Sequence, residues 1–221
     1  MTLRTAFVAL AVTFFSGLTA SADPGGLAIA GRTGTLGFGG DLMVNVLPDV
    51  NLRLGIGTCG FSHDGEFSDV DYDFDLDLLT YPVTLDWYPF DDCFHLSGGV
   101  IFNETEMNLD STYSGSVIIG DNIYTPTEVG VLSGHLGFND VAPYVGLGWG
   151  NAFGQDQRWG LVTDFGVAFI GSPTVTLSAT GTLASTPGFL LDLAKEAANV
   201  QDDVDVLRVY PVFSANLFFR F

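Results

Sequence analysis

The chain has 221 residues with 47% hydrophobic and only 15% charged content, against about 25% charged in an ordinary soluble domain. With 7 basic and 26 acidic residues its formal net charge is −19, which excludes nucleic acid as a natural partner because phosphate binding needs basic patches. The same balance argues against an anion-selective pore.

Residues 1–22 read as an export signal. Arg4 precedes an apolar stretch from Ala6 to Phe15, and the small-residue run Ser16 to Ala22 ends in Ala20-Ser21-Ala22, an A-x-A cleavage pattern with Asp23 as the new N-terminus. A ten-residue apolar run is too short to span a bilayer as a helix, which needs about 20 residues. The rest of the chain, 23–221, reads as one domain and carries no run of 18 apolar residues. High apolar content without a spanning helix is what a membrane barrel requires, because only alternate residues face lipid.

Strands follow from period-two alternation. A first ascending strand falls near Leu27 to Arg32. Next, Leu36, Phe38, Leu42, Val44 and Val46 oppose Gly37, Gly39, Asp41 and Asn45 in a descending strand over 35–46. Leu52, Leu54 and Ile56 oppose Asn51, Arg53, Gly55 and Gly57 in an ascending strand over 50–61.

A descending strand over 71–88 comes next. Its apolar phase changes from even (Tyr72, Phe74, Leu76, Leu78) to odd (Leu79, Tyr81, Val83, Leu85, Trp87), so a β-bulge near Leu78-Leu79 is expected, or else an upper half that projects beyond the membrane. The same stretch carries Asp69, Asp71, Asp73, Asp75 and Asp77 on one strand face, about 7 Å apart. These five are a candidate site for divalent cations, Ca²⁺ or Mg²⁺, through hard oxygen ligands. The competing reading is a hydrated lumenal or loop face whose charge is shared with the arginines. Spacing along one strand is too wide for a single ion to touch three of them.

Further strands are expected over 94–104 (ascending), 129–138 (descending), 141–151 (ascending), 158–171 (descending) and 173–181 (ascending). The links Leu47-Asn51, Pro89-Cys93, Phe138-Val141 and Gly171-Pro173 then fall on the periplasmic side. Lumenal charge partners are expected among Arg53, Arg158, Asp41 and Asp164. Leu190, Leu193, Ala197, Val200, Val204 and Leu207 repeat at spacings of three and four, predicting an amphipathic helix started by Thr186-Pro187-Gly188; strand parity puts it on the outer side, with a periplasmic or lumenal position as the competing reading.

The last strand, 208–221, carries Phe213, Ala215, Leu217, Phe219 and the terminal Phe221 on one face. Here the chain resembles the bacterial outer-membrane β-barrel proteins, in particular small porin-like or OmpA-like barrels of unassigned activity. Ala142-Pro143-Tyr144-Val145-Gly146-Leu147-Gly148-Trp149 and Asp71-Tyr72-Asp73-Phe74-Asp75 share in that likeness. The resemblance implies an antiparallel up-and-down barrel in the outer membrane. It further implies that Phe213, Leu217, Phe219 and Phe221 form the signal read by the barrel-assembly machinery. Strand counting gives ten, with eight as the alternative if two segments merge or lie outside the wall.

Cys59 and Cys93 fall at opposite levels of the wall, roughly 20 Å apart, whereas a disulfide allows about 6 Å between Cα atoms. Two free thiols are expected. Phe94-His95-Leu96-Ser97 is similar to the His-x-Ser element of a lipid A deacylase, but the pair starts an ascending strand far from the outer leaflet and points to the lumen. No phosphate loop, transition-metal set or cofactor motif is present. The sequence therefore predicts a non-enzymatic envelope barrel with a structural or accessory role, meeting lipid, lipopolysaccharide and divalent cations. A narrow cation-preferring pore or small-ligand carrier, and a lipid-modifying enzyme, are the alternatives.

Overall fold

In a computed structural model, which describes residues 26–67, 70–90, 93–154, 157–204 and 208–221, the chain forms a closed antiparallel barrel. The signal segment, Asp69 and Leu207 lie outside the described residues. Eight strands close the ring: β1 (Leu27–Gly34), β2 (Gly37–Leu47), β3 (Val50–Phe67), β4 (Val70–Trp87), β5 (Phe94–Asn103), β10 (Val141–Trp149), β11 (Trp159–Ala168) and β13 (Tyr210–Arg220). Pairing of β1 with β13 on one side and of β4 with β5 on the other completes it. The ten-strand expectation is thus corrected to eight, the alternative.

Register explains the miscount. β6 (Glu106–Tyr113) and β9 (Val131–Gly137) are upward continuations of β5 and β10 beyond the ring. Thr80 stands opposite Asn103 and Asp77 opposite Glu106, the same alignment on either side of a short break. Likewise Phe102 opposes Val141 and Glu106 opposes Gly137. β12 (Thr174–Ala179), paired to β9, continues β11 with the register shifted by one residue. Segments counted as separate strands are therefore single staves, each interrupted once. β10 consequently descends and β11 ascends, the reverse of the expected directions. The links at 138–141 and 171–173 lie at the upper end, opposite the end that carries Leu27 and Phe221.

No register shift occurs at Leu78-Leu79, because Cys59 opposite Leu78 and Leu54 opposite Val83 share one alignment. The second expectation holds instead: the upper half of β4 rises beyond the ring. The irregularity sits between β11 and β12, where Gly171 takes φ +70°, a backbone that favours glycine. That step switches the inward residues from even on β11 to odd on β12.

Side chains that point outward on the ring are apolar and exposed, with Trp159 70%, Leu217 59% and Val145 55% accessible. Aromatic side chains gather near the lower rim: Trp87, Phe90, Phe94, Trp149, Trp159, Phe219 and Phe221. Two of these contacts are edge-on, Phe94 with Trp149 and Phe219 with Phe221. A belt of exposed apolar side chains with an aromatic girdle is stable only against lipid. No helix of the described residues is long and apolar enough to cross a membrane.

Above the ring the continuing strands form an amphipathic sheet. A small hairpin, β7 (Val117–Ile119) and β8 (Asn122–Tyr124), follows β6. A one-turn helix α1 (Pro126–Val129) follows it, with Thr125 and Glu128 forming a capping box. These short elements carry no period long enough to read from sequence. The predicted long helix, α2 (Pro187–Val204), starts at Pro187 as expected and lies at the upper end. Its buried face is Phe189, Asp192 and Leu193, with Ala197, Val200 and Val204 half-buried along the same side, so the predicted stripe holds except at Leu190, which is 47% exposed. The helix packs on β12 and β7 through Ile119, Tyr124, Val129, Phe189 and Leu193. The buried Asp192 carboxylate accepts from Tyr124 and Asn122 at 2.6 Å each.

Candidate functional site

The lumen is filled in three layers. At the lower end Ala28, Ala30, Met43, Val162 and Phe218 pack with Ala152 and Phe153, which the β10–β11 turn folds inward. Near the upper rim Leu36, Ile101, Ala142, Tyr144, Ala168 and Val212 pack together. Between these apolar layers lies a charged one. Small residues opposite the charges make room for it: a Cβ on Gly148 would sit 2.5 Å from His95 Nε2, and one on Gly55 would collide with Asp41 and Arg32.

Asp164 on β11 is the hub. Its carboxylate accepts from Arg53 Nη1 at 2.6 Å and Arg53 Nη2 at 2.8 Å, from Ser214 at 2.8 Å and from Asn216 at 2.9 Å. His95 Nε2 lies 3.0 Å away and, facing a carboxylate, is the nitrogen that carries hydrogen. Arg53 also donates to Asp86 at 2.9 Å, and Asp86 accepts from Ser97 at 2.7 Å. Strands β3, β4, β5, β11 and β13 are thus cross-tied by one buried network. A second ion pair, Arg32 to Asp41 at 3.1 Å, joins β1 and β2.

Of the expected lumenal partners, Arg53, Asp41 and Asp164 are buried in this layer. Arg158 is not: it is exposed at the lower end, where its carbonyl accepts from the Arg220 backbone. Its position before β11, not within it, puts it outside the alternation that was read through it. Arg32, Asp86 and Asn216 are buried as well and were not among the expected partners. Asp86, His95 and Asp164 offer one ligand atom apiece, all within 4.8 Å of one another, a spacing that suits a metal. The cation they hold, however, is the guanidinium of Arg53. Ser97 donates to Asp86 and not to His95, so the pair lacks the nucleophile–base hydrogen bond that covalent catalysis needs.

The acidic run lies elsewhere. On β4 the odd residues face outward, so Asp73, Asp75 and Asp77 stand exposed just above lipid-facing Leu79, not in the lumen. Asp71 follows the same register beside Thr112. Neighbouring strands supply more acid: Asp73 stands between Asp64 and Asp110, and Asp77 beside Glu106. Cross-strand neighbours are about 5 Å apart, closer than the spacing along β4. The Asp64 carboxyl, hydrogen-bonded beside it and repelling it, holds the Asp73 carboxyl above the usual range.

Cys59 and Cys93 form no disulfide, one lying beside Leu78 near the upper rim and the other next to Gly150 at the lower end. Phe213, Leu217, Phe219 and Phe221 share the exposed outer face of β13.

No protein-family model matches the sequence, and no curated protein does. Among solved structures the chain is similar to Acinetobacter baumannii CarO2, at 23% identity with a TM-score of 0.58, over 88% of this chain and 98% of that one. It is also similar to Acinetobacter baumannii CarO, at 21% identity with a TM-score of 0.55, over 90% of this chain and all (100%) of that one. The shared fold, with the apolar belt described above, makes the chain an outer-membrane β-barrel.

Proposed function

We propose that this protein is a closed envelope barrel with a structural or accessory role, whose working surface is the sheet raised above the membrane and not a conducting lumen. The observation that carries this reading is the layered lumen. A hollow of about 30 Å³ beside Arg53 and Asp164 has room for about one water. Apolar packing closes the barrel on both sides of it. An ion crossing here would have to displace a guanidinium held by three hydrogen bonds.

With the C-terminus on the periplasmic side, the acidic face of β3, β4 and β6 stands at the level of the outer-leaflet headgroups. Its role is contact with lipopolysaccharide, divalent cations bridging its carboxylates to lipid phosphates. Phe213, Leu217, Phe219 and Phe221 serve the assembly machinery. We assign no enzymatic activity to the His95–Ser97 pair. Planar-bilayer recording with the folded protein tests the central claim. No steady conductance above the bare bilayer is expected, and reproducible cation-selective steps would overturn it in favour of a narrow pore.

A further inference from the structure

Above the upper apolar layer the barrel holds a cavity of about 150 Å³, walled by Leu76, Leu78, Ile101, Met107, Ala168 and Ile170 among others. Its size matches apolar cavities that stay dry and bind a benzene-sized molecule. On the outer side of the same wall, at the break between β5 and β6 and between β9 and β10, lies a hollow of about 570 Å³. The two share Leu78, Asn103, Thr105 and Phe138, which therefore stand between them. The wall is thin here because residues 104–105 and 138–140 lie outside the β6–β9 and β5–β10 ladders. The outer hollow is lined by Asp77, Glu104, Glu106 and Asp140, with no Lys or Arg among its lining residues. One side is thus apolar and ring-sized, the other anionic and wet.

We propose that these two hollows form one binding site for a small amphiphilic amine. An alkyl or aryl end of about six carbons occupies the inner cavity, and the ammonium group stays among the outer carboxylates. Burial of the apolar end supplies affinity, and the carboxylates select charge. Asn103 and Thr105, which line both hollows, are tied together by a hydrogen bond that Thr105 Oγ1 donates to Asn103 Oδ1, so the site needs these two side chains to part around the ligand. The site does not depend on the charged layer below, so it stands whether or not the lumen conducts.

Saturation-transfer NMR on the full barrel in phosphatidylcholine nanodiscs, with empty nanodiscs subtracted, tests this. The probes are butyl-, pentyl- and hexylammonium, hexanol and hexanoate. Hexylammonium should show protein-dependent transfer strongest at its methyl end, and each methylene removed should weaken binding about fourfold. Hexanoate should bind about tenfold more weakly than hexylammonium, because its carboxylate faces like charge. Ala142→Leu, which fills the inner cavity, should abolish the signal, and Thr105→Trp at the break should do the same. Asp77→Asn with Glu106→Gln should bring hexylammonium down to the level of hexanol. Heat-modifiable gel mobility establishes that each variant is folded. Absence of protein-dependent transfer, affinity independent of chain length, or a signal unchanged in both filled variants would overturn the proposal. The wild-type chain-length series decides the matter even if neither filled variant inserts.

Discussion

Replacing Arg53 by Met keeps an apolar stem of similar length on β3 and removes every donor that Asp86 and Asp164 share. Asp164 would retain Ser214, Asn216 and His95, whereas Asp86 would retain only its bond from Ser97 among the hydrogen bonds described. Both carboxylates are nearly inaccessible, at 3% each, so neither can recover hydration without the barrel opening. Breaking a buried pair in this way costs about 3–5 kcal/mol. The orphaned charge on Asp86 should account for much of it, so adding Asp86→Asn to Arg53→Met should restore about 1–3 kcal/mol. Arg53→Lys should also destabilise, because one ammonium cannot reproduce the fork that spans two carboxylates. Urea unfolding in phospholipid vesicles, followed by tryptophan fluorescence and gel mobility, measures all four proteins. A loss below about 1 kcal/mol for Arg53→Met, the range of solvated surface pairs, would refute a dry charged layer. It would also remove the main support for a closed lumen.

Changing Leu217 and Phe219 to Asp places charge on the lipid face of β13, where it is destabilising and most so toward mid-membrane, and outer-membrane recovery should be lost; normal insertion would mean the outer face is misassigned. Cys59 and Cys93 should both react with maleimide after unfolding without reductant, and a mass gain of two hydrogens on reduction would contradict the separation of β3 and the β4–β5 turn. The Asp73 carboxyl is raised, so its ionisation opposes the fold: stability of the raised sheet should increase as pH falls through the titration of Asp73, and Ca²⁺ at neutral pH should mimic the effect. Asp73→Asn should weaken both responses, as read by hydrogen exchange of β4 and β6; an unchanged profile would show that the carboxylates are separately hydrated.

What the sequence disclosed followed from local pattern. Alternation placed Leu217, Val145 and Trp159 on the lipid face because a one-residue slip would turn every such side chain inward. The same alternation put Arg53, Asp41 and Asp164 in the lumen. Stave number was not legible, since a break such as Glu104-Thr105 looks like a turn when the strand on the far side of it is in unchanged register. Directions for 141–151 and 158–171 failed for the same reason. Asp86 and Asn216 escaped notice because membership in the charged layer is a matter of height around a closed ring, and height depends on the shear between strands far apart in the chain. The acids of β4 were plain to see. Their outward aim was hidden, because the outward residues of β4 change from apolar to acidic at Asp77 without any change of backbone period.

The uninterrupted register across the breaks has a mechanical meaning. The raised sheet is joined to the membrane-embedded wall by one lattice of hydrogen bonds on β3 and β4, not by loops. A molecule docking on the raised sheet would therefore meet a stiff plate, with little ordering left to do on contact. Load applied to that plate would pass as shear into the wall.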